Sequence, residues 1–167
     1  MYALVALGSN LGERRRHLER GLQALAELGT VTVSPLWPAT PDVTGVGPDY
    51  LNTVARLETA GTDPCALLEA LLRAELRLGR DRGLGRNAPR TLDLDLIAVA
   101  GARGFWRWPA PADLGALGPE LTLELPHPRA AQRPFVMEPA RALGWPFPDA
   151  GAGGAPSAPS DRSHDDL

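Results

Sequence analysis

The chain of 167 residues contains no lysine: all 17 of its basic residues are arginine. That absence removes whole classes of phosphate and carbonyl chemistry. A P-loop enzyme needs the lysine of its glycine-rich loop, a protein kinase needs its strand lysine, and Schiff-base catalysis needs an amine. Any phosphate handling falls to arginine and metal. Cysteine is almost missing too. Cys65 stands alone, which excludes an internal disulfide and a thiolate metal cluster, and its place on an apolar helix face reads as a packed thiol. No apolar run reaches membrane-spanning length, and the opening MYALVALGSN lacks a basic leader, so it reads as the first strand of a cytoplasmic protein. The net charge of -3 supplies no pull on nucleic acid. What remains is one globular domain, 44% hydrophobic, expected over residues 1–149. Residues 150–167 are mostly Gly, Ala, Pro, Ser and Asp, with Arg162, His164 and Leu167 among them, and read as a disordered tail.

The most informative stretch runs from Gly79 to Val99, GRDRGLGRNAPRTLDLDLIAV. Arg80, Arg82, Arg86 and Arg90 sit on a glycine-loosened backbone that feeds directly into Leu92-Asp93-Leu94-Asp95-Leu96. Strict alternation marks a strand, so Asp93 and Asp95 share one face while the leucines enter the core. Two carboxylates so placed repel unless a cation sits between them, and a hard cation with oxygen ligands, Mg²⁺, resolves the conflict. Guanidinium forks match phosphate oxygens. A solvent-facing edge with a solvated basic loop is the plainer alternative.

Elsewhere the periodicity is equally direct. Gly8-Ser9-Asn10 ends the first apolar run, and Leu11, Leu18, Leu22, Leu25 and Leu28 follow at helical spacing on one face, with Asn10 and Glu13 as a capping box. That turn is either structural or an anion site. A Pro- and Gly-rich loop spans Pro35 to Pro48, and Tyr50 to Glu58 alternates as a strand with Tyr50 and Asn52 on one face. A ring beside an amide suits a flat heterocycle. Asp63-Pro64 starts a second helix that Gly79 ends. Glu75, near its end, is either a surface charge or a group near a ligand. Leu121 to Leu125 is strand-like and leads into Pro126-His127-Pro128-Arg129 and Arg133-Pro-Phe-Val136. The order β, α, β, β, α, β and one more strand predicts an α+β, ferredoxin-like sandwich, helices packed on a mostly antiparallel sheet. Residues 100–119, with Trp106 and Trp108, resemble nothing assignable.

Arg86-Asn-Ala-Pro-Arg-Thr-Leu-Asp-Leu-Asp-Leu-Ile97 resembles the signature of the 6-hydroxymethyl-7,8-dihydropterin pyrophosphokinases, in which a basic residue leads through Pro-Arg to Asp-Leu-Asp. The resemblance covers most of residues 1–143 and implies the same fold. It implies pyrophosphate transfer from ATP to the hydroxymethyl group of a reduced pterin in folate biosynthesis. Asp93 and Asp95 would hold two Mg²⁺ ions, and Arg82 and Arg90 would act in catalysis. Glu75, Arg82, Arg86, Arg90, Leu96, His127 and Arg133 would bind ATP. Thr40, Pro41, Tyr50, Asn52 and Phe135 would bind the pterin. The partners implied are these small molecules; a monomer is expected, and charge and hydropathy give neither nucleic acid nor membrane as a partner. The chain departs from the family pattern at Asn87, where a tryptophan is usual, in the 41–48 loop, and at Thr122 and Glu124. Two other functions stand beside this one: a Mg-dependent phosphohydrolase, which would cleave ATP without pterin, and a nucleotide-binding module that has lost activity.

Overall fold

Strand β1 (Tyr2–Ser9) is the central strand of the sheet, and its residues are apolar on both faces. Ala3, Val5 and Leu7 join the larger core cluster, while Leu4 joins a smaller one on the opposite face. A strand buried on both sides must carry a near-continuous apolar run, which ALVAL supplies. It pairs antiparallel with β4 (Tyr50–Glu58) along one edge and with β5 (Asp93–Val99) along the other. Strands β2 (Thr30–Val33) and β3 (Ala39–Thr40) share the far edge of β4. In the computed structural model, which describes residues 1–42, 45, 47–79 and 91–146, the order is β2-β4-β1-β5.

Helix α1 (Arg14–Ala26) follows β1 and helix α2 (Pro64–Arg77) follows β4, completing the βαββαβ pattern of a ferredoxin-like α+β sandwich. Both helices cover the face lined by Ala3, Val5, Leu7, Leu57 and Leu94. Helix α2 begins as expected: the Asp63 side chain accepts from Cys65 N–H at 2.9 Å, and Pro64 occupies the first turn. Cys65 itself is a buried thiol. Helix α1 begins differently. Its N-cap is Glu13 with no side-chain capping bond, and Asn10 is buried at the end of β1, so the expected capping box does not form. Leu11 precedes the helix and is exposed, so it does not share the apolar face of Leu18 and Leu25.

Helix α3 (Pro134–Ala142) covers the other face with Val136 and Ala140 packed on Leu4, Val54, Ile97 and Ala98. A bulge makes this possible. Leu4 pairs with Ala98 but Val5 pairs with Leu96, so Ile97 is an extra residue in β5. Ile97 and Ala98 therefore both lie beneath α3, and Val99 returns to the two-helix face.

The stretch 100–119 acquires a definite structure. Strand β6 (Gly104–Pro109) pairs with β7 (Glu120–Leu125) as a separate two-stranded sheet, joined by the 3-10 helix Ala112–Leu117. Its attachment is to α2: Trp108 Nε1 donates to Glu69 Oε1 at 2.9 Å, and Arg73 binds Asp113 through two nitrogens. Trp108 and Leu114 extend the main core. Among the described residues, no helix is long and apolar enough to cross a membrane.

Candidate active site

The strand registers place one row of residues across the sheet on the α3 face. Asn52 of β4 lies opposite Gly8 of β1, and Gly8 lies opposite Asp93 of β5; one step along, Val54, Ala6 and Asp95 form the parallel row. Small residues thus stand between the acidic strand and the amide strand. Gly8 matters most, because a Cβ there would meet Asn52 Oδ1 at 3.2 Å and a Tyr50 ring carbon at 3.8 Å. The sheet has a bare floor at this point, bordered by Asn52 and Tyr50 on one side and Asp93 on the other.

Asn52 is held in place. Its Nδ2 donates to Thr40 Oγ1 at 3.0 Å and Pro38 O at 3.3 Å, and its backbone N–H also binds Pro38 O. The structure therefore gathers Thr40, Tyr50 and Asn52 at one border of the floor, with Pro41 next in the chain. Beside it, the Asp42 carboxylate accepts from Gly47 N–H at 3.0 Å.

The acidic border meets a cationic one. Asp93 and Asp95 are partly exposed on β5 while Leu92, Leu94 and Leu96 are buried, as the alternation requires. Arg133, at the start of α3, places Nη1 3.6 Å from Asp95 Oδ2, and its guanidinium lies 5.9 Å from the Phe135 ring centre. His127 is tied to the bulge of β5 by its N–H donating to Ile97 O at 2.7 Å. Its Nδ1 accepts from Arg129 N–H at 3.2 Å, which leaves the proton of the neutral ring on Nε2. Burial, then the positive charges of Arg133 and Arg129, holds the His127 pKa below its ordinary value against the opposing pull of Asp93. With Nδ1 occupied as an acceptor, the Nε2–H of the neutral imidazole is a hydrogen-bond donor.

Two residues expected to bind ATP, Leu96 and Glu75, have buried side chains. The Leu96 side chain is buried in the main core on the two-helix face, since it alternates with Asp95; contact with a ligand over the acidic face falls to its main chain. Glu75 is fully buried and so is not a surface charge, and its Oε1 accepts from Leu94 N–H at 2.6 Å. That bond lies between the two aspartates in sequence and satisfies an N–H of the sheet's edge strand. Arg80, Arg82, Arg86 and Arg90, and Asn87, lie outside the described residues. The role of Gly8 as floor was not foreseen; a lone glycine inside an apolar strand is the signal that marks close approach.

Two buried hydroxyls, Ser9 Oγ and Thr91 Oγ1, have no hydrogen-bond partner among the described residues. Both sit at the ends of β1 and β5 that carry the site, and an unsatisfied buried hydroxyl costs about 1–3 kcal/mol unless solvent or ligand takes it. Among the described residues no group of three or more His, Cys, Asp or Glu side chains stands ready to cage a metal. The donor set is a carboxylate pair. Such a pair fits Mg²⁺, which keeps water and takes substrate phosphate oxygens instead of demanding an all-protein shell.

These features define a ferredoxin-like α+β sandwich with an acidic, arginine-bordered site on the face opposite its two long helices. The chain belongs to the 7,8-dihydro-6-hydroxymethylpterin-pyrophosphokinase family, whose profile matches residues 4–144. Among its relatives, a 2-amino-4-hydroxy-6-hydroxymethyldihydropteridine pyrophosphokinase of Pseudomonas aeruginosa is 46% identical over 96 residues, 56% of this chain and 58% of that protein. One of the same name from Synechocystis is 32% identical over 153 residues, 89% of this chain and 70% of that protein. The folate synthesis bifunctional protein, mitochondrial, of Pisum sativum is 31% identical over 142 residues, 84% of this chain but 24% of that protein. The match thus spans less than two thirds of the length of the Pseudomonas and pea relatives.

Proposed function

We propose that this protein transfers the pyrophosphoryl group of ATP to the hydroxymethyl oxygen of 6-hydroxymethyl-7,8-dihydropterin, releasing AMP and the pterin diphosphate. The observation that carries this reading is the convergence on one sheet face of the Asp93/Asp95 pair, the Arg133/His127 cluster and the Asn52–Gly8 floor. A flat ring with amide and lactam edges suits Asn52 and Thr40, with Tyr50 and Phe135 to pack its faces. The hydroxyl oxygen attacks the β-phosphorus, the bond from that phosphorus to the α–β bridging oxygen breaks, and the hydroxyl proton passes to solvent.

Asp93 and Asp95 would hold Mg²⁺, two ions as the family likeness implies, which supplies charge neutralisation on phosphate oxygens and acidifies the attacking hydroxyl. Arg133 and the His127 Nε2–H then bind phosphate oxygens, each a preorganised donor beside the acidic pair. Arg82 and Arg90 would neutralise the charge that accumulates on the leaving oxygen, and Arg86 would bind ATP. Glu75 and Leu96 belong to the nucleotide's side of the sheet edge, Glu75 by fixing β5 and Leu96 by its main chain. One chain supplies every residue, so a monomer suffices, acting in the cytoplasm on small molecules.

The test is AMP formation from Mg-ATP with and without the pterin. AMP only in the presence of pterin is expected. Phosphate release without pterin would make the protein a phosphohydrolase, and binding of both ligands without AMP would make it an inactive module.

A further inference from the structure

The α3 face holds a second recess, at the opposite end of β1 and β5 from the acidic pair. The same registers that align Asn52, Gly8 and Asp93 align Arg56, Leu4 and Ala98 further along the sheet, four residues from Gly8 on β1. At about 3.3 Å per residue that is roughly 13 Å from the Gly8 floor. Here a cavity of about 620 Å³ opens, within the range of small-molecule sites. Tyr2, Arg56, Ala98, Arg103, Pro126 and Trp145 are among its lining residues.

Its walls are fixed by the backbone. Helix α3 ends in a Schellman turn: Gly144 takes φ +69°, its N–H binds Arg141 O at 2.8 Å, and Trp145 N–H reaches back to Ala140 O at 3.0 Å. Trp145 is thereby turned back onto the Leu4–Ala98 core cluster. Across the cavity, Ala100 N–H binds Tyr2 O at 2.9 Å and closes the ends of β5 and β1 together. The Tyr2 hydroxyl donates to Glu58, which leaves the ring as wall and occupies the nearest acid.

Arg56 and Arg103 are exposed, and neither forms an ion pair among the described residues. Two guanidiniums with no ion pair among the described residues, set round an apolar floor with two aromatic walls, match a particular chemistry. We infer that this cavity is a second small-molecule site, for a flat apolar acid whose carboxylate or phosphate engages Arg56 and Arg103 and whose ring packs on Tyr2 and Trp145. Charge-assisted bonds to guanidinium supply orientation, and the rings supply apolar contact. Helix α3 joins the two sites, since Arg133 begins it beside Asp95 and Trp145 follows its end.

The experiment uses the full chain, ¹⁵N-labelled, titrated with 2-naphthoate, 2-naphthyl phosphate and the neutral 2-naphthamide. Either anion is expected to saturate below about 1 mM with shifts at the Trp145 indole N–H and the 98–102 amides, and the tighter of the two names the anion. The amide, and either anion with the Arg56→Ala/Arg103→Ala double variant, should bind about tenfold or more weakly. Both arginines are exposed, so the variant is expected to keep its melting temperature. Equal binding by wild type and double variant, equal binding of anions and amide, shifts centred on Gly8, Asn52 and Phe135, or no saturation would each overturn the assignment.

Discussion

Replacing Gly8 with alanine adds one methyl group to the floor between Asn52 and Asp93, and the structure sets what that methyl does. Neighbouring strands lie about 4.8 Å apart, so Asn52 and Asp93 face each other across roughly 10 Å with Gly8 midway. The added Cβ would stand 3.2 Å from Asn52 Oδ1, tighter than an ordinary contact. Asn52 gives way only by loosening its bonds to Thr40 and Pro38, at about 0.5–1.5 kcal/mol for one such bond. Against this, alanine restricts the unfolded chain and recovers about 0.4–1 kcal/mol. Stability should therefore change by less than about 1 kcal/mol, a shift of roughly 4 °C or less in Tm for a chain this size.

Activity should respond far more. A methyl protruding where a flat substrate lies costs on the order of 1–3 kcal/mol of binding, about tenfold to two-hundredfold in KM. The assay is AMP formation at saturating Mg-ATP with varied pterin, alongside thermal unfolding. Gly115→Ala is the control, since nothing lies within 4 Å of a Cβ at that position. A pterin KM within about twofold of wild type in a stably folded Gly8→Ala protein would refute the placement of the pterin over this floor.

Asp95→Asn should nearly abolish turnover, because the amide keeps the shape but not the charge that Mg²⁺ needs, while metal-free stability changes by less than about 1 kcal/mol, relief of the Asp93 repulsion offsetting the weakened Arg133 contact; near-normal turnover would remove Asp95 from the metal site. Glu75→Ala orphans the Leu94 N–H and should cost about 1–3 kcal/mol or more in urea unfolding, whereas Glu75→Gln retains an acceptor oxygen and should recover most of it. Equal loss in both would dismiss that bond as the reason Glu75 is buried. For His127 the folded pKa is depressed, so the unfolded chain binds a proton that the folded chain declines. Metal-free stability should fall as pH drops below about 6.5 and level off beneath the lower folded pKa, and the corresponding part of the fall should vanish in His127→Gln. Deleting residues 150–167 should leave turnover and Tm nearly unchanged, since that composition offers little apolar surface to bury; a large drop in Tm would show that the tail packs.

The sequence by itself determined the elements whose periodicity is local. Alternation in Leu92–Leu96 placed both aspartates on one face, Asp63-Pro64 marked the start of α2, and the succession of elements specified the sandwich. Local periodicity does not say which face meets which neighbour. The assembly of the site required the registers Gly8 with Asn52 and Gly8 with Asp93, set by pairings between strands more than 40 residues apart in sequence. Other misses share that cause. Asn10 was expected at a helix cap but is buried at the sheet end, and Glu75 reads like any helical glutamate until β5 presents an N–H to it. Trp106 and Trp108 belonged to no recognisable pattern because their strand finds its partner in β7 and its anchor in Glu69 of α2. A side chain's periodicity is encoded within one turn or pleat, whereas its partner is decided only when distant segments close on each other and every buried polar group must find a bond.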